Sequence, residues 1–203
     1  MVATVKRTGD WKLLKRTLSG LPTRVKAAQK IATFEEAHHY RRMVLKAFKT
    51  SGRSNGKAWE PNKRSVLANK GSSKPLIDRG DLRNSIVVVK RGKGFWVGVS
   101  SRKRSRDGSR LVDIAAVHEF GRVIAMQVTP KMHAYVMAQL AKNGGGGGGG
   151  SGKFKPGAII VIKIPERSFL RATAKAHFKP AQVQVRMVKR MSRLLGGAFR
   201  GPR

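Results

Sequence analysis

The hydrophobic positions of the chain change period along its length. Over residues 23–50, Val25, Ala28, Ala32, Tyr40, Met43, Val44, Ala47 and Phe48 recur at near-helical spacing, which predicts an amphipathic helix. A breaker at Gly20-Leu21-Pro22 precedes it, with Thr23 as the expected cap, and Ser51-Gly52-Arg53-Ser54-Asn55-Gly56 stops it. The polar face carries Arg24, Lys26, Lys30, Arg41, Arg42, Lys46 and Lys49, and suits solvent or an anion equally well. Residues 51–75 read as a long polar loop whose one aromatic, Trp59, is expected to anchor in the core.

The period then shortens. Residues 85–90 form a β-branched run, 91–94 a turn, and 95–100 a second apolar run, which together predict a β-hairpin. The basic, Ser-rich residues 101–110 read as a flexible loop, and residues 112–120 as a short helix closed by Gly121. Residues 158–164 predict another strand, with residues 127–136 as its expected partner. Between them lies a run of seven glycines, which costs too much backbone entropy to hold one shape and predicts a loop tip over 143–153. Residues 166–178 read as helical, interrupted at Pro180. A last helix follows, with Met187, Val188, Met191, Leu194 and Leu195 on one face.

The expected architecture is α+β. It is a small twisted antiparallel sheet, with a long N-terminal helix and C-terminal helices packed on it. An arm and helix over 1–50, a core over 51–172 and a basic tail over 173–203 make up one domain.

Charge changes this picture. Among 203 residues there are 44 Lys or Arg against 10 Asp or Glu, a formal charge of +34. Apolar residues make up 40% of the chain, enough for a packed core, so this is not a disordered basic tail. A charge of this size repels itself in the compact state. It calls for a polyanion, an acidic protein or an anionic membrane as partner. No apolar run approaches the roughly 20 residues that span a bilayer, and residues 1–11 carry no apolar leader segment. A soluble chain made in the cytoplasm, without membrane partners, is expected. The absence of cysteine excludes disulfides and thiolate metal sites.

Candidate chemistry is sparse. His118-Glu119 matches the start of a zinc-protease pair, but Arg122 stands where the second His belongs. Asp78, Asp81, Asp113 and Glu119 could in principle supply the converging carboxylates of a metal-dependent nuclease. No nucleophile elbow, dinucleotide fingerprint or known nucleic-acid motif is present. No cofactor and no catalytic residue is expected. The basic charge peaks at Arg102-Lys103-Arg104-Ser105-Arg106. Beyond Glu166 no acid remains, which leaves Arg186, Lys189, Arg190 and Arg193 on the last helix. These are the candidate contacts to DNA phosphates or acidic partners.

Four segments carry a resemblance. They are Pro75-Leu76-Ile77-Asp78-Arg79-Gly80-Asp81-Leu82-Arg83-Asn84-Ser85-Ile86; Ala115-Ala116-Val117-His118-Glu119-Phe120-Gly121; Val128-Thr129-Pro130-Lys131-Met132; and Ile164-Pro165-Glu166-Arg167-Ser168-Phe169-Leu170. In that order they resemble the virion-morphogenesis, or tail-completion, family of tailed-phage neck proteins. A hairpin ending in Val97-Gly98 stands where the family has one. Ile114 and Ser168 depart from the family's Tyr and second Pro.

The resemblance implies an α+β subunit of a homo-oligomeric ring, sixfold in the family, located at the virion neck after assembly in the host cytoplasm. The implied partners are head-connector or head-completion proteins, a tail terminator or tail tube, and packaged DNA in the channel. It implies no catalysis. A free, sequence-independent nucleic-acid-binding protein and a metal-dependent nuclease are the alternatives.

The signature residues also have plain structural roles to fill. Gly80 is expected to permit a turn, with Asp78 accepting backbone N–H groups in it. Leu82 and Ile86 are expected to face the core. Phe120 is expected to plug the core ahead of Gly121. Pro165 is expected to open a helix that Phe169 and Leu170 seat.

Overall fold

A computed structural model describes residue 9 and residues 11–62, 72–142 and 155–196. The expected polyglycine tip and the tail beyond residue 196 lie outside the described residues. The fold is α+β, with six helices and four strands described. The strands form two separate two-stranded antiparallel sheets rather than one. By contacts the chain divides into two compact units. One comprises residues 1–39, 88–96 and 178–203; the other comprises 40–87 and 97–177.

Helix α1 runs from Trp11 to Lys49 and contains Pro22. The expected breaker therefore does not break it. Proline leaves the carbonyl four residues back without its helical partner and typically costs about 3 kcal/mol inside a helix. Extending an existing helix fixes one residue per new hydrogen bond, whereas starting another requires a fresh nucleus, so continuation is favoured.

In the first unit, α1 meets α6 (Pro180–Gly196), whose first helical residue is a proline, a position where no N–H is needed. Ala28 and Ala32 are buried on α1. Glu36 is also buried, and it takes hydrogen bonds from Arg186 at 3.0 and 2.6 Å and from Arg190. Glu35 pairs with Arg190 at 3.4 Å and Arg193 at 3.1 Å. Burial alone would raise the Glu36 carboxyl, but the hydrogen bonds and charges of Arg186 and Arg190 overcome it and hold its pKa below the ordinary carboxylate value. Phe34 packs edge-on against Phe95 at 5.3 Å, and the Arg186 guanidinium lies 5.0 Å from the centre of the Phe178 ring.

The second unit holds the apolar core. Val44, Ala47 and Phe48 of α1 are buried with Trp59, Leu82, Ile86, Val99, Leu111, Ala115 and Phe169. Trp59 anchors in the core as expected, edge-on to Phe48 at 5.7 Å, and its indole N–H donates to the Ser168 carbonyl at 3.1 Å. The loop that returns Trp59 depends on Gly52, at φ +83°. A Cβ there would lie 2.6 Å from the indole and 2.7 Å from the Lys57 carbonyl oxygen.

Helix α2 (Asp81–Asn84) leads into strands β1 (Ile86–Arg91) and β2 (Gly94–Val99), the expected hairpin. Residues 101–110 form a closed loop. Ser105 donates its hydroxyl to Asp107, Ser109 donates to Asp107 at 3.1 Å, and the backbones of Arg104 and Arg110 pair in an isolated antiparallel β-bridge. Helix α3 (Leu111–Phe120) ends at Gly121 as expected.

The partner of the last strand differs from expectation. Strand β3 is Arg122–Gln127, and it pairs antiparallel with β4 (Ile159–Ile164) in a register from Arg122↔Ile164 to Gln127↔Ile159. Residues 130–136, expected in the strand, instead begin helix α4 (Pro130–Lys142). The Thr129 hydroxyl accepts from the Met132 N–H at 3.2 Å, and Pro130 occupies the first helical position. Thr-Pro is thus a helix start, and it outweighs the apolar run that follows. Helix α5 (Arg171–His177) likewise begins later than the expected residue 166.

Candidate functional site

Two of the signature segments close on each other in the second unit. Helix α3 delivers Glu119, almost fully buried, to the start of α5. Its carboxylate accepts the backbone N–H groups of Phe169 at 2.9 Å, Leu170 at 3.0 Å and Arg171 at 2.7 Å, and the Ser168 hydroxyl at 2.6 Å. Ser168 Oγ in turn accepts the Ala172 N–H at 3.1 Å. The N–H groups at the start of a helix have no partner within it; here the carboxylate takes those of Leu170 and Arg171 and the Ser168 hydroxyl that of Ala172, and the carboxylate also holds the Phe169 N–H just ahead of the helix. Ser168 stands where the resembled pattern has proline, and its hydroxyl is part of this cap.

The surrounding contacts tighten the same joint. The Arg167 N–H donates to the His118 carbonyl at 2.7 Å. The buried Arg167 guanidinium donates to the carbonyls of Glu60 at 3.0 Å and Pro61 at 3.3 Å. Burial lowers the Arg167 pKa, and the charge of Glu60 pulls it back up. Gly121, at φ +69°, passes so close that a Cβ would lie 3.1 Å from the Glu166 nitrogen and 3.2 Å from the Ile164 oxygen. Tyr40 donates its hydroxyl to the Leu170 carbonyl at 2.9 Å. Burial, followed by the charge of Glu119, raises the Tyr40 pKa to about 12.

Phe120 departs from expectation. It is 64% exposed and does not plug the core; the Arg171 guanidinium lies 4.4 Å above its ring. The reason is periodicity. Leu111, Ala115 and Glu119 share the buried face of α3, and Phe120 follows on the next face. Pro165 lies six residues before α5, outside any helix or strand, and does not open it.

The Gly80 segment sits beside this joint. Gly80 holds φ +91°, a conformation that opens α2; the space around it would admit a Cβ, so backbone conformation is what selects glycine. Leu82 and Ile86 are buried as expected. Ser85 is buried too, and its hydroxyl donates to the Leu82 carbonyl at 2.6 Å. Leu76, at φ +59°, adopts a backbone conformation that bulky side chains rarely take. Leu76, Asp78, Asp81, His118 and Arg167 line an open cavity of about 300 Å³. Glu119 does not line it, because its oxygens are held by α5. Among the described residues no cluster of three or more His, Asp or Glu is placed to hold a metal ion, so the four carboxylates of the nuclease alternative do not converge.

The cations divide into two groups. On α6, Arg186, Arg190 and Arg193 are turned to Glu35 and Glu36, while Lys189 is exposed. In the 101–110 loop, Lys103 donates to the Asn84 carbonyl at 2.9 Å and Arg104 to the Gly108 carbonyl at 3.0 Å; Arg102 and Arg106 are exposed. A further cationic surface lies elsewhere. Arg41, Arg42, Lys46 and Lys49 of α1 and Arg83 of α2 line one groove, floored by Leu45 and Asn84. The sequence placed the four α1 cations on one helix face, but nothing in it showed that α2 would add Arg83.

A second exposed surface is apolar. In the β3–β4 ribbon, Val123, Ala125 and Gln127 lie opposite Lys163, Val161 and Ile159, so these six share one face. Val123 is 63% exposed, Val161 66% and Ile159 74%.

Comparisons of the chain with protein-family models, curated proteins and solved structures found no match. Among the described residues no helix is long and apolar enough to cross a membrane.

Proposed function

We propose that the chain is a structural virion protein of a tailed phage. In this reading it is a neck or tail-completion subunit that closes into a ring at the head–tail junction. The observation that carries the proposal is the β3–β4 ribbon. A two-stranded sheet is marginal in water, and here its apolar face is left open. Neighbouring copies of the chain are the occupant that would cover this face in a ring.

Two further features support the reading. Residues of three of the four signature segments, Leu82 and Ile86, Ala115, and Phe169, lie in the core of the second unit, with Glu119 capping the segment that contains Arg167 and Phe169. A net charge of +34 also makes neighbouring subunits repel, so closure depends on polyanionic or acidic partners. DNA in the channel is a polyanion of that kind.

Sedimentation of the purified chain with head connector and tail tube at low salt tests the proposal. The expected result is a ring-sized complex that contains several copies of the chain. A chain that remains monomeric with both partners contradicts it.

A further inference from the structure

The groove between α1 and α2 has a charge environment different from the other basic surfaces. Only Asp10, of the ten acids, lies outside the described residues. Glu35 and Glu36 are bound to the α6 arginines, Glu119 caps α5, and Glu166 pairs with Arg171 at 2.9 Å. Asp113 pairs with Arg110 at 3.7 Å, and Asp107 takes its serines. Asp78 and Asp81 line the cavity beside His118. Among the described residues no carboxylate lines the groove, although five cations do.

We infer that this groove binds the phosphodiester backbone of nucleic acid. Arg42, Lys46 and Lys49 follow one another at helical spacings of four and three residues, so they form a single exposed stripe. At about 1.5 Å of rise per residue the stripe is about 10 Å long. One strand of a duplex carries a charge about every 3.4 Å of axis, so the stripe spans about three phosphates.

The flanking groups are held in place. Arg41 Nε donates to the Ile86 carbonyl at 2.8 Å, and Lys103 Nζ reaches the Asn84 carbonyl at 2.9 Å. Guanidinium groups on both walls offer paired donors to phosphate oxygens. Among the described residues no aromatic side chain lines the groove, so bases have no stacking platform there.

The ordinary alternative is that Lys46 and Lys49 offset the carbonyl end of α1. It accounts for those two residues but not for Arg42 four residues earlier or for Arg83 on another element. An acidic peptide is the competing ligand, and a poly-glutamate peptide represents it in the test. The site does not depend on ring closure and stands or falls separately from it.

Fluorescence anisotropy of the full chain with a labelled mixed-sequence duplex, measured across a salt series, tests the inference. Arg42→Gln, Lys46→Gln and Lys49→Gln together remove three phosphate contacts. They should flatten the log–log salt slope by about 2.7 and weaken binding about 100-fold near 100 mM salt. All three side chains are exposed, so the unfolding midpoint should not move. The control removes the same charge at exposed sites elsewhere, as Lys26→Gln, Lys30→Gln and Lys189→Gln. It should change the slope by less than about one. Equal losses in the two variants overturn the site. So does a groove variant that loses binding to a poly-glutamate peptide while its duplex binding is unchanged.

Discussion

Replacing Glu119 with alanine removes the acceptor for four donors at once. They are the N–H groups of Phe169, Leu170 and Arg171 and the hydroxyl of Ser168. A hydrogen bond to a charged group contributes about 1.5–3 kcal/mol, but the four do not add, because water reaches the half-buried donors once the carboxylate is gone. The Phe169 N–H is buried, and leaving it unpaired costs about 1–3 kcal/mol. Loss of the cap adds about 1 kcal/mol. The expected destabilisation is therefore about 2–4 kcal/mol, a large share of the roughly 5–15 kcal/mol available to a folded domain. Glu119→Gln keeps the volume and one acceptor oxygen but turns an NH₂ toward N–H donors, so it should cost about 2 kcal/mol. Urea unfolding followed by tryptophan fluorescence measures both, and hydrogen exchange at the Phe169–Arg171 amides locates the loss. A Glu119→Ala chain within about 1 kcal/mol of the parent, with those amides still protected, would refute the capping argument.

Gly121→Ala should destabilise the chain by about 2 kcal/mol in the same urea assay, since it sets a Cβ 3.1 Å from the Glu166 nitrogen at a positive φ. The Glu36 cluster should make stability acid-sensitive. Its pKa is lowered in the folded chain, so its contribution is fully present above the ordinary carboxylate value of 4.5 and fades as the pH falls through the lowered one. Glu36→Gln should remove most of that pH dependence, read as the difference in unfolding midpoint between about pH 6 and pH 3. Val123→Lys with Val161→Lys should leave the monomer's stability within about 0.5 kcal/mol, because both side chains are exposed. The same pair should abolish assembly, which sedimentation reads directly.

The parts of the fold legible in sequence are those fixed by local pattern. The hairpin of β1 and β2 follows from a β-branched run and an apolar run on either side of the turn at 91–94, and α3 from its apolar stretch and Gly121. Trp59 was expected in the core, and the indole is there. Errors arose where a local signal met a cooperative or tertiary one. Pro22 reads as a break but sits inside a helix that continues on both sides. The apolar run after Thr129 reads as strand, yet Thr129 and Pro130 start a helix.

The candidate site was less legible than the fold. Arg186, Arg190 and Arg193 look like free cations along the chain, because their carboxylate partners lie some 150 residues away. Glu119 looks like half of a metal motif, and only the approach of α5 gives it four donors. The groove of Arg42, Lys46 and Arg83 needed α2 to be placed against α1.

The central claim is that copies of this chain close into a ring through the β3–β4 ribbon. Native mass spectrometry of the chain with a short duplex at low ionic strength, combined with hydrogen exchange at residues 122–127 and 159–164, tests it most directly. The expected result is one closed oligomer of defined copy number, six by the resemblance, with ribbon amides protected only in the oligomer. A monomer under all conditions, or an oligomer whose ribbon exchanges as fast as the monomer's, would contradict it.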